Sequence, residues 1–475
     1  MYMFCIMFLS KTSPVIAMHV MPLTRGAGNS SATMRTVMMN AKHPASSVPR
    51  SRLERLAHLG GLAGRVAGGM LAEGMRQVAM GNLPSTADLM LTPANARRVS
   101  EKLSELRGAA MKVGQLLSMD AGDILPAELS AILARLRADA RPMPMSEVVT
   151  VMQESFGEGW EKHFKRFSFT PAAAASIGQV HTATTLDNRQ LALKIQYPGI
   201  SQSINSDVDN VATLLKISRL IPNGLDLQPL LQEAKRQLHQ EADYQAEAAH
   251  LRYFAIALED TPEFVVPGVV EHLTHKNILA MDFLEGKPIE CLVDASQTMR
   301  DRVSELLIDL LFRELFEFGM IQTDPNFANY LYDPDTRQLG LIDFGATRQY
   351  PVSVTEAYRG LLDAALRADH ATMSESAQAI GYFREDIHER QRAAVIELFV
   401  LATEPARTAG QYDFGASDLA ARIRDAGMAL SFNQGYWHTP PADAIFLHRK
   451  LGGLYLLAAR LRARVNVRSI LERYL

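Results

Sequence analysis

Two cysteines, Cys5 and Cys291, are all that 475 residues contain. They are too few and too far apart for a disulfide framework or a cysteine-based zinc site, which points to a reducing compartment. No excess of charge exists either. With 49 Lys and Arg against 52 Asp and Glu, the net charge is −3, which excludes a general electrostatic pull toward nucleic acid or anionic membrane. A membrane-spanning run is also missing. Tyr2–Leu9 is a short apolar stretch, far below the roughly 20 residues that cross a bilayer, and it lacks the positive leader of a signal peptide. The C-terminal stretch from Leu451 is interrupted by arginines every few residues. No internal repeat is visible. What is present, 47% apolar and 21% charged residues, is an ordinary globular composition. The length suits two or three domains, or one two-lobed domain with an extension.

The chain divides by composition. Residues 1–52 are polar and rich in Ser and Met after the apolar start. They read as a disordered or targeting tail, with a start near Met34 as one explanation of their character. Residues 53–150 read as a helical extension. Within it Gly60, Gly64 and Gly68 share a helix face, a spacing that lets helices approach closely; intramolecular packing and a homodimer are both open. Arg65 and Glu73 argue against a membrane span there. Thr92-Pro93 then offers an N-cap and a first-turn proline. Leu103, Leu106, Ala110, Val113 and Leu117 follow at amphipathic spacing, and this helix carries Lys112-Val-Gly-Gln115.

Chemistry concentrates between Gln322 and Tyr350. Asp324 is followed five residues on by Asn329, and Asp343-Phe-Gly follows the apolar run Leu339–Ile342. Protein kinases space their catalytic-loop Asp and Asn and their magnesium-holding Asp in this way. Phosphoryl transfer needs a carboxylate facing the nucleophile and oxygen ligands that fix magnesium against the phosphates, so Asp324, Asn329 and Asp343 are the candidates. Upstream, Phe164–Gln196 reads as a β-rich lobe. Ala172, Ala173, Ala174, Ala175 and Ser176 stand where a glycine-rich nucleotide loop would, and Gly178-x-Val180 keeps the end of that pattern. Asp187-Asn188 predicts a turn, and the strand after it carries Lys194, placed to meet α- and β-phosphates and a helix glutamate. Met281–Gly286 predicts an inter-lobe hinge, and Val303–Phe318 a long apolar helix beneath the catalytic loop. Two absences matter here as well. No A-P-E follows Asp343, and Gln322-Thr323 replace the usual H-R before Asp324, so a peptide-docking platform is missing.

Lys112–Gln115, Ala172–His181, Glu241–Ala248, Gln322–Asp333 and Leu341–Tyr350, five motifs in order, resemble the AarF/UbiB family of kinase-like proteins, nearest its coenzyme Q (ubiquinone) biosynthesis branch. The resemblance covers the chain from about Leu53 to the C-terminus. It implies an α+β, two-lobed protein-kinase-like fold, with the extension and its K-x-G-Q motif folded over the active site. The N-lobe would span residues 151–285 and the helical C-lobe 286–475. It implies regulatory roles for Lys112, Gln115, Glu241 and Asp243, with Glu241 pairing Lys112. Glu247 becomes the partner of Lys194, and the alanine-rich loop becomes the nucleotide loop. The departure D-P-N-F-A-N, where many members have D-P-H-P-G-N, keeps Asp324 and Asn329.

The resemblance further implies ATP and Mg2+ as cofactors, and ATPase activity or a small or lipid phosphoryl acceptor in preference to protein substrates. Expected partners are ubiquinone-biosynthesis enzymes and lipid precursors, with peripheral membrane contact and no nucleic acid. A bacterial protein would be cytoplasmic or peripheral at the inner membrane; a eukaryotic one would lie on the mitochondrial matrix side. A non-catalytic nucleotide-binding scaffold is the alternative, and retention of Asp324 speaks against it.

Overall fold

The computed structural model describes residues 109, 112–113, 142–217, 228–434, 436, 438 and 440–475. The expectations for the tail, the Gly60/Gly64/Gly68 face, Thr92-Pro93 and Gln115 lie outside the described residues. Of the extension, Ala109, Lys112 and Val113 are described. All three are helical and buried against the folded body.

Among the described residues the smaller lobe is built on a five-stranded antiparallel sheet. Its strands are β1 (Phe164–Phe167), β2 (Ala173–Ala174), β3 (Gly178–Thr185), β4 (Gln190–Gln196) and, later in the chain, β6 (Ile278–Asp282). They are ordered β1-β3-β4-β6, with β2 on β3. The predicted turn joins β3 to β4, and Asn188 adopts φ 70° there, a left-handed conformation that asparagine tolerates better than most residues. Central β4 is buried from Leu191 to Gln196 on both faces. Helix α1 (Met145–Phe156) packs on it, so the strand lacks the in-out alternation of a half-exposed one.

Three helices follow: α2 (Ile200–Ile217), α3 (Gln228–Glu241) and α4 (Tyr244–Ala257). Asp243 caps α4 by accepting a hydrogen bond from the Ala246 N–H. The helix then buries Tyr244, Glu247, Ala248, Leu251 and Phe254, a stripe at helical spacing that faces the sheet and the inter-lobe cleft. The Gln196 amide donates to the Ala242 carbonyl at 2.8 Å. It thereby ties the α3–α4 corner to the central strand.

The larger lobe is helical around a small second sheet. β5 (Phe264–Val265), β7 (Lys287–Pro288), β9 (Tyr330–Asp333) and β10 (Gln338–Leu341) are ordered β5-β10-β9-β7. β5 pairs in parallel with β10 across a long sequence separation. Beneath them runs α5 (Gln297–Arg313), continued by one π-helical turn at Glu314–Phe318. Two short strands, β8 (Met320–Gln322) and β11 (Thr347–Gln349), pair with each other and frame the segment that carries Asp324, Asn329 and Asp343. Helices α6 (Val352–Leu366), α7 (His370–Ile380), α8 (Glu389–Ala402), α9 (Leu419–Met428) and α10 (Ala442–Arg460) complete the lobe. Among the described residues no helix is long and apolar enough to cross a membrane.

Candidate active site

The cleft between the lobes collects residues from four separate parts of the chain. β4 carries Lys194 into it, and the residue is 6% exposed. Its Nζ lies 2.5 Å from Glu247 Oε1 on α4 and 3.1 Å from Asp343 Oδ2. Burial alone would lower the Lys194 pKa, but the carboxylates of Asp343 and Glu247 outweigh it and hold the ammonium charged. For Glu247, burial works the other way. It raises the carboxyl to about 7 against the pull of Lys194, with Asp343 adding to the rise. One ammonium thus serves two carboxylates, and a bound cation would balance the remaining charge.

The D-F-G segment is held in place around this trio. Gly345 N–H donates to Asp343 Oδ1 at 3.1 Å, and Phe344 N–H to Glu247 Oε1 at 3.4 Å. The Phe344 ring is buried 4.5 Å from that of Phe254, and His250 Nδ1 lies 3.2 Å from the Phe344 carbonyl oxygen. The phenylalanine is therefore packed beneath α4 and clear of the cleft, the placement that sets an active arrangement in kinases. From Gly345 the chain passes through β11 directly into α6 at Val352. That leaves no room for a long activation segment, in keeping with the missing A-P-E.

On the other wall, Asn329 Nδ2 donates to Asp324 Oδ2 at 3.2 Å. This fixes the Asn amide so that its oxygen and one Asp oxygen remain available. Thr323 anchors the loop through its N–H and hydroxyl, both donated to the Ala346 carbonyl at 2.9 and 2.6 Å. The donor chemistry of these residues suits magnesium. Asp343 and Asn329 supply hard oxygen donors, and the phosphates complete such a site in nucleotide-dependent enzymes. A cluster of three or more His, Cys, Asp or Glu able to hold a metal by itself does not occur among the described residues.

The alanine-rich loop forms a hairpin over the cleft. Ala173 and Ala174 pair with Val180 and Gln179, and Ala175 N–H closes the turn on the Gly178 carbonyl at 3.0 Å. Val180 sits directly opposite Lys194 in the β3–β4 register, so both side chains face the cleft. Gly178 itself is flush against β4. A Cβ there would lie 2.2 Å from the Ile195 carbonyl oxygen, which explains the glycine as close strand packing.

Lys112, 3% exposed, pairs with Glu241 at the end of α3. Asp243, expected beside Glu241 in a regulatory role, is placed as the cap of α4.

Sequence reading missed the support beneath the catalytic loop. Lys450 on α10 is 2% exposed, with Nζ 3.2 Å from Glu314 Oε2 and 3.1 Å from Gln322 Oε1. On the same helix face, Gly453 meets Pro325 so closely that a Cβ would come within 2.4 Å of the proline side chain. A lysine inside a long helix gives no local signal of such a role.

A family model described as the ABC1 atypical kinase-like domain matches residues 135–377. The chain belongs to the ABC1, or AarF/UbiB, family of atypical kinase-like proteins. It is 38% identical over 429 residues to the atypical kinase COQ8, mitochondrial, of Saccharomyces cerevisiae, covering 90% of this chain and 85% of that one. It is 37% identical over 427 residues to the atypical kinase COQ8B, mitochondrial, of Rattus norvegicus, covering 90% and 80%. Among solved structures it is similar to Rv3197 of Mycobacterium tuberculosis, described in complex with erythromycin. The TM-score is 0.54 at 27% identity, covering 82% of this chain and 97% of that one. The α+β, two-lobed kinase-like architecture expected from the motifs is thereby borne out.

Proposed function

We propose that this protein is an ATP- and magnesium-dependent ATPase, or a kinase of a small or lipid acceptor, that supports ubiquinone biosynthesis. The observation that carries the reading is the Lys194 ammonium held between Glu247 and Asp343. In kinases this lysine–glutamate pair and the D-F-G aspartate must both be in place for turnover. The mitochondrial COQ8 relatives support the pathway and a mitochondrial setting, and peripheral membrane contact is part of the same proposal.

In this reading Lys194 holds the α- and β-phosphates, and the hairpin from Ala172 to Gly178 closes over the nucleotide with Val180 against its base. Asp343 and Asn329 would hold magnesium, whose contribution when bound would be to neutralise charge on the transferred phosphoryl group. Asp324 accepts a hydrogen bond from the attacking hydroxyl or water and orients it in line. Lys112 and Glu241 regulate access by keeping the extension docked. Water is a competent acceptor for such a site, and among the described residues no long activation segment follows Asp343 to dock a protein substrate.

The test is magnesium-dependent ATP hydrolysis by the purified full chain, with and without anionic lipid vesicles, beside Asp343→Asn and Asp324→Ala. The expected result is turnover that rises with vesicles, disappears in Asp343→Asn, and falls by roughly 10² or more in Asp324→Ala, with nucleotide binding retained in the latter. Tight nucleotide binding by the wild type without turnover in either condition would overturn catalysis and establish the nucleotide-binding scaffold.

A further inference from the structure

Three side chains on one face of α4, Glu247, His250 and Phe254, meet the D-F-G segment. Phe254 packs on the Phe344 ring, and the other two reach its backbone from either side. Glu247 Oε1 accepts from the Phe344 N–H at 3.4 Å, a long bond to an oxygen that already receives the Lys194 ammonium at 2.5 Å. His250 Nδ1 lies 3.2 Å from the Phe344 carbonyl oxygen. A carbonyl oxygen can only accept, so Nδ1 carries the proton and His250 is the donor. Thr347 Oγ1 donates to the same oxygen at 2.8 Å, but from within the turn, so it does not tie the turn to the helix.

The carbonyl that His250 holds belongs to the Phe344–Gly345 peptide, whose N–H donates to Asp343 Oδ1 at 3.1 Å. C=O and N–H of a planar trans peptide point in opposite directions. Holding the oxygen from α4 therefore aims the N–H at the carboxylate. Histidine, peptide and carboxylate form a chain in which each hydrogen bond polarises the next. Asp343 is gripped at both oxygens, Oδ1 by Gly345 and Oδ2 by Lys194 at 3.1 Å.

We propose that His250 is a positioning residue: through the Phe344–Gly345 peptide it sets the direction of the Asp343 carboxylate, and so the affinity of the cleft for a divalent cation. The inference rests on the reading of Asp343 and Asn329 as magnesium ligands. Groups that orient a metal-ligating carboxylate from behind commonly change metal affinity by about 10–100-fold when they are removed. The short path of this chain explains why a helix supplies that support. β11 leads directly from the turn into α6, so the brace comes from α4, and His250 is the contact on α4 that is bonded to the turn without also serving Lys194.

The experiment compares the full chain as wild type, His250→Leu and His250→Asn. Leucine fills the position without a donor. Asparagine Nδ2 stands as many bonds from the backbone as histidine Nδ1, so it can restore the hydrogen bond. Binding of a fluorescent ATP analogue is titrated without divalent cation and then across Mg2+ concentrations, and hydrogen exchange is followed at the Phe344 and Gly345 amides. In His250→Leu the Mg2+ concentration for half-maximal effect should rise by about tenfold, while nucleotide affinity without Mg2+ stays that of the wild type. Exchange at Gly345 should quicken, and His250→Asn should recover both readouts. A purely structural role would weaken Mg2+-free binding along with the Mg2+ response, and that result would overturn the proposal. Unmoved Mg2+ response and exchange in folded His250→Leu would do the same, as would His250→Asn impaired as far as the leucine variant. A wild type indifferent to Mg2+ would overturn the magnesium reading itself. The exchange comparison needs neither cation nor turnover, so it tells the two failures apart.

Discussion

Replacing Lys450 by methionine isolates what the buried ion pair beneath the catalytic loop does. Methionine has nearly the length of lysine, so packing is kept and the charge alone is removed. Glu314, 1% exposed, then loses its counter-ion, and breaking a buried pair from one side costs about 3–5 kcal/mol. For a helical lobe of this size that corresponds to a fall in melting temperature of roughly 10 °C. The pH dependence gives a second signature. Burial already raises Glu314 to about 7, against the pull of Lys450, and removing the lysine raises it further. A carboxyl with a raised folded pKa contributes its full stability below the unfolded value and loses it as pH rises through the folded one. Lys450→Met should therefore be least impaired near pH 5 and most impaired at pH 8. The double variant Lys450→Met/Glu314→Leu removes both charges and should recover most of the stability. Its ATP turnover should stay low, because Gln322 still lacks the ammonium that holds it two residues before Asp324. Thermal melts at pH 5 and 8, with hydrolysis assays on both variants, decide the matter. A Lys450→Met protein that melts within about 1 kcal/mol of wild type at pH 8 would refute the reasoning, as would full activity in the double variant.

His448 should give an acid-side signature of its own. Its folded pKa, lowered by burial to about 4, lies below the unfolded value near 6.5. Stability is then full above pH 6.5 and declines toward pH 4, by at most about 3 kcal/mol; His448→Leu should flatten that part of a denaturation-versus-pH curve. Gly178→Ala sets a Cβ against the Ile195 carbonyl and should cost about 1–3 kcal/mol. Nucleotide affinity should fall with it, as titration of the folded variant will show. Lys112→Met should undock the extension from α3, raising hydrogen exchange at Ala109 and Val113, and Lys112→Met/Glu241→Leu should reverse much of that change. Unchanged exchange in the single variant would remove Lys112 from any docking role.

How much was legible in the sequence can be said residue by residue. Spacing alone singled out Asp324, Asn329 and Asp343, which the fold brings to one cleft, because short, local separations are visible in sequence. Turn chemistry located the β3–β4 corner at Asp187-Asn188, since few residues accept φ 70°. Five ordered motifs were enough for the family, and with it the two-lobed fold. Tertiary structure decided what local pattern cannot encode. Glu247 lies far along the chain from Lys194, and only the packing of α4 on the sheet puts the two 2.5 Å apart. Gly178, read as the remnant of a phosphate loop, is required by the closeness of β4. The parallel β5–β10 pair and Lys450 beneath the catalytic loop join segments with no sequence relation to one another. Short-range chemistry is written in neighbouring residues; burial and counter-ions belong to surfaces that meet only when the chain is folded.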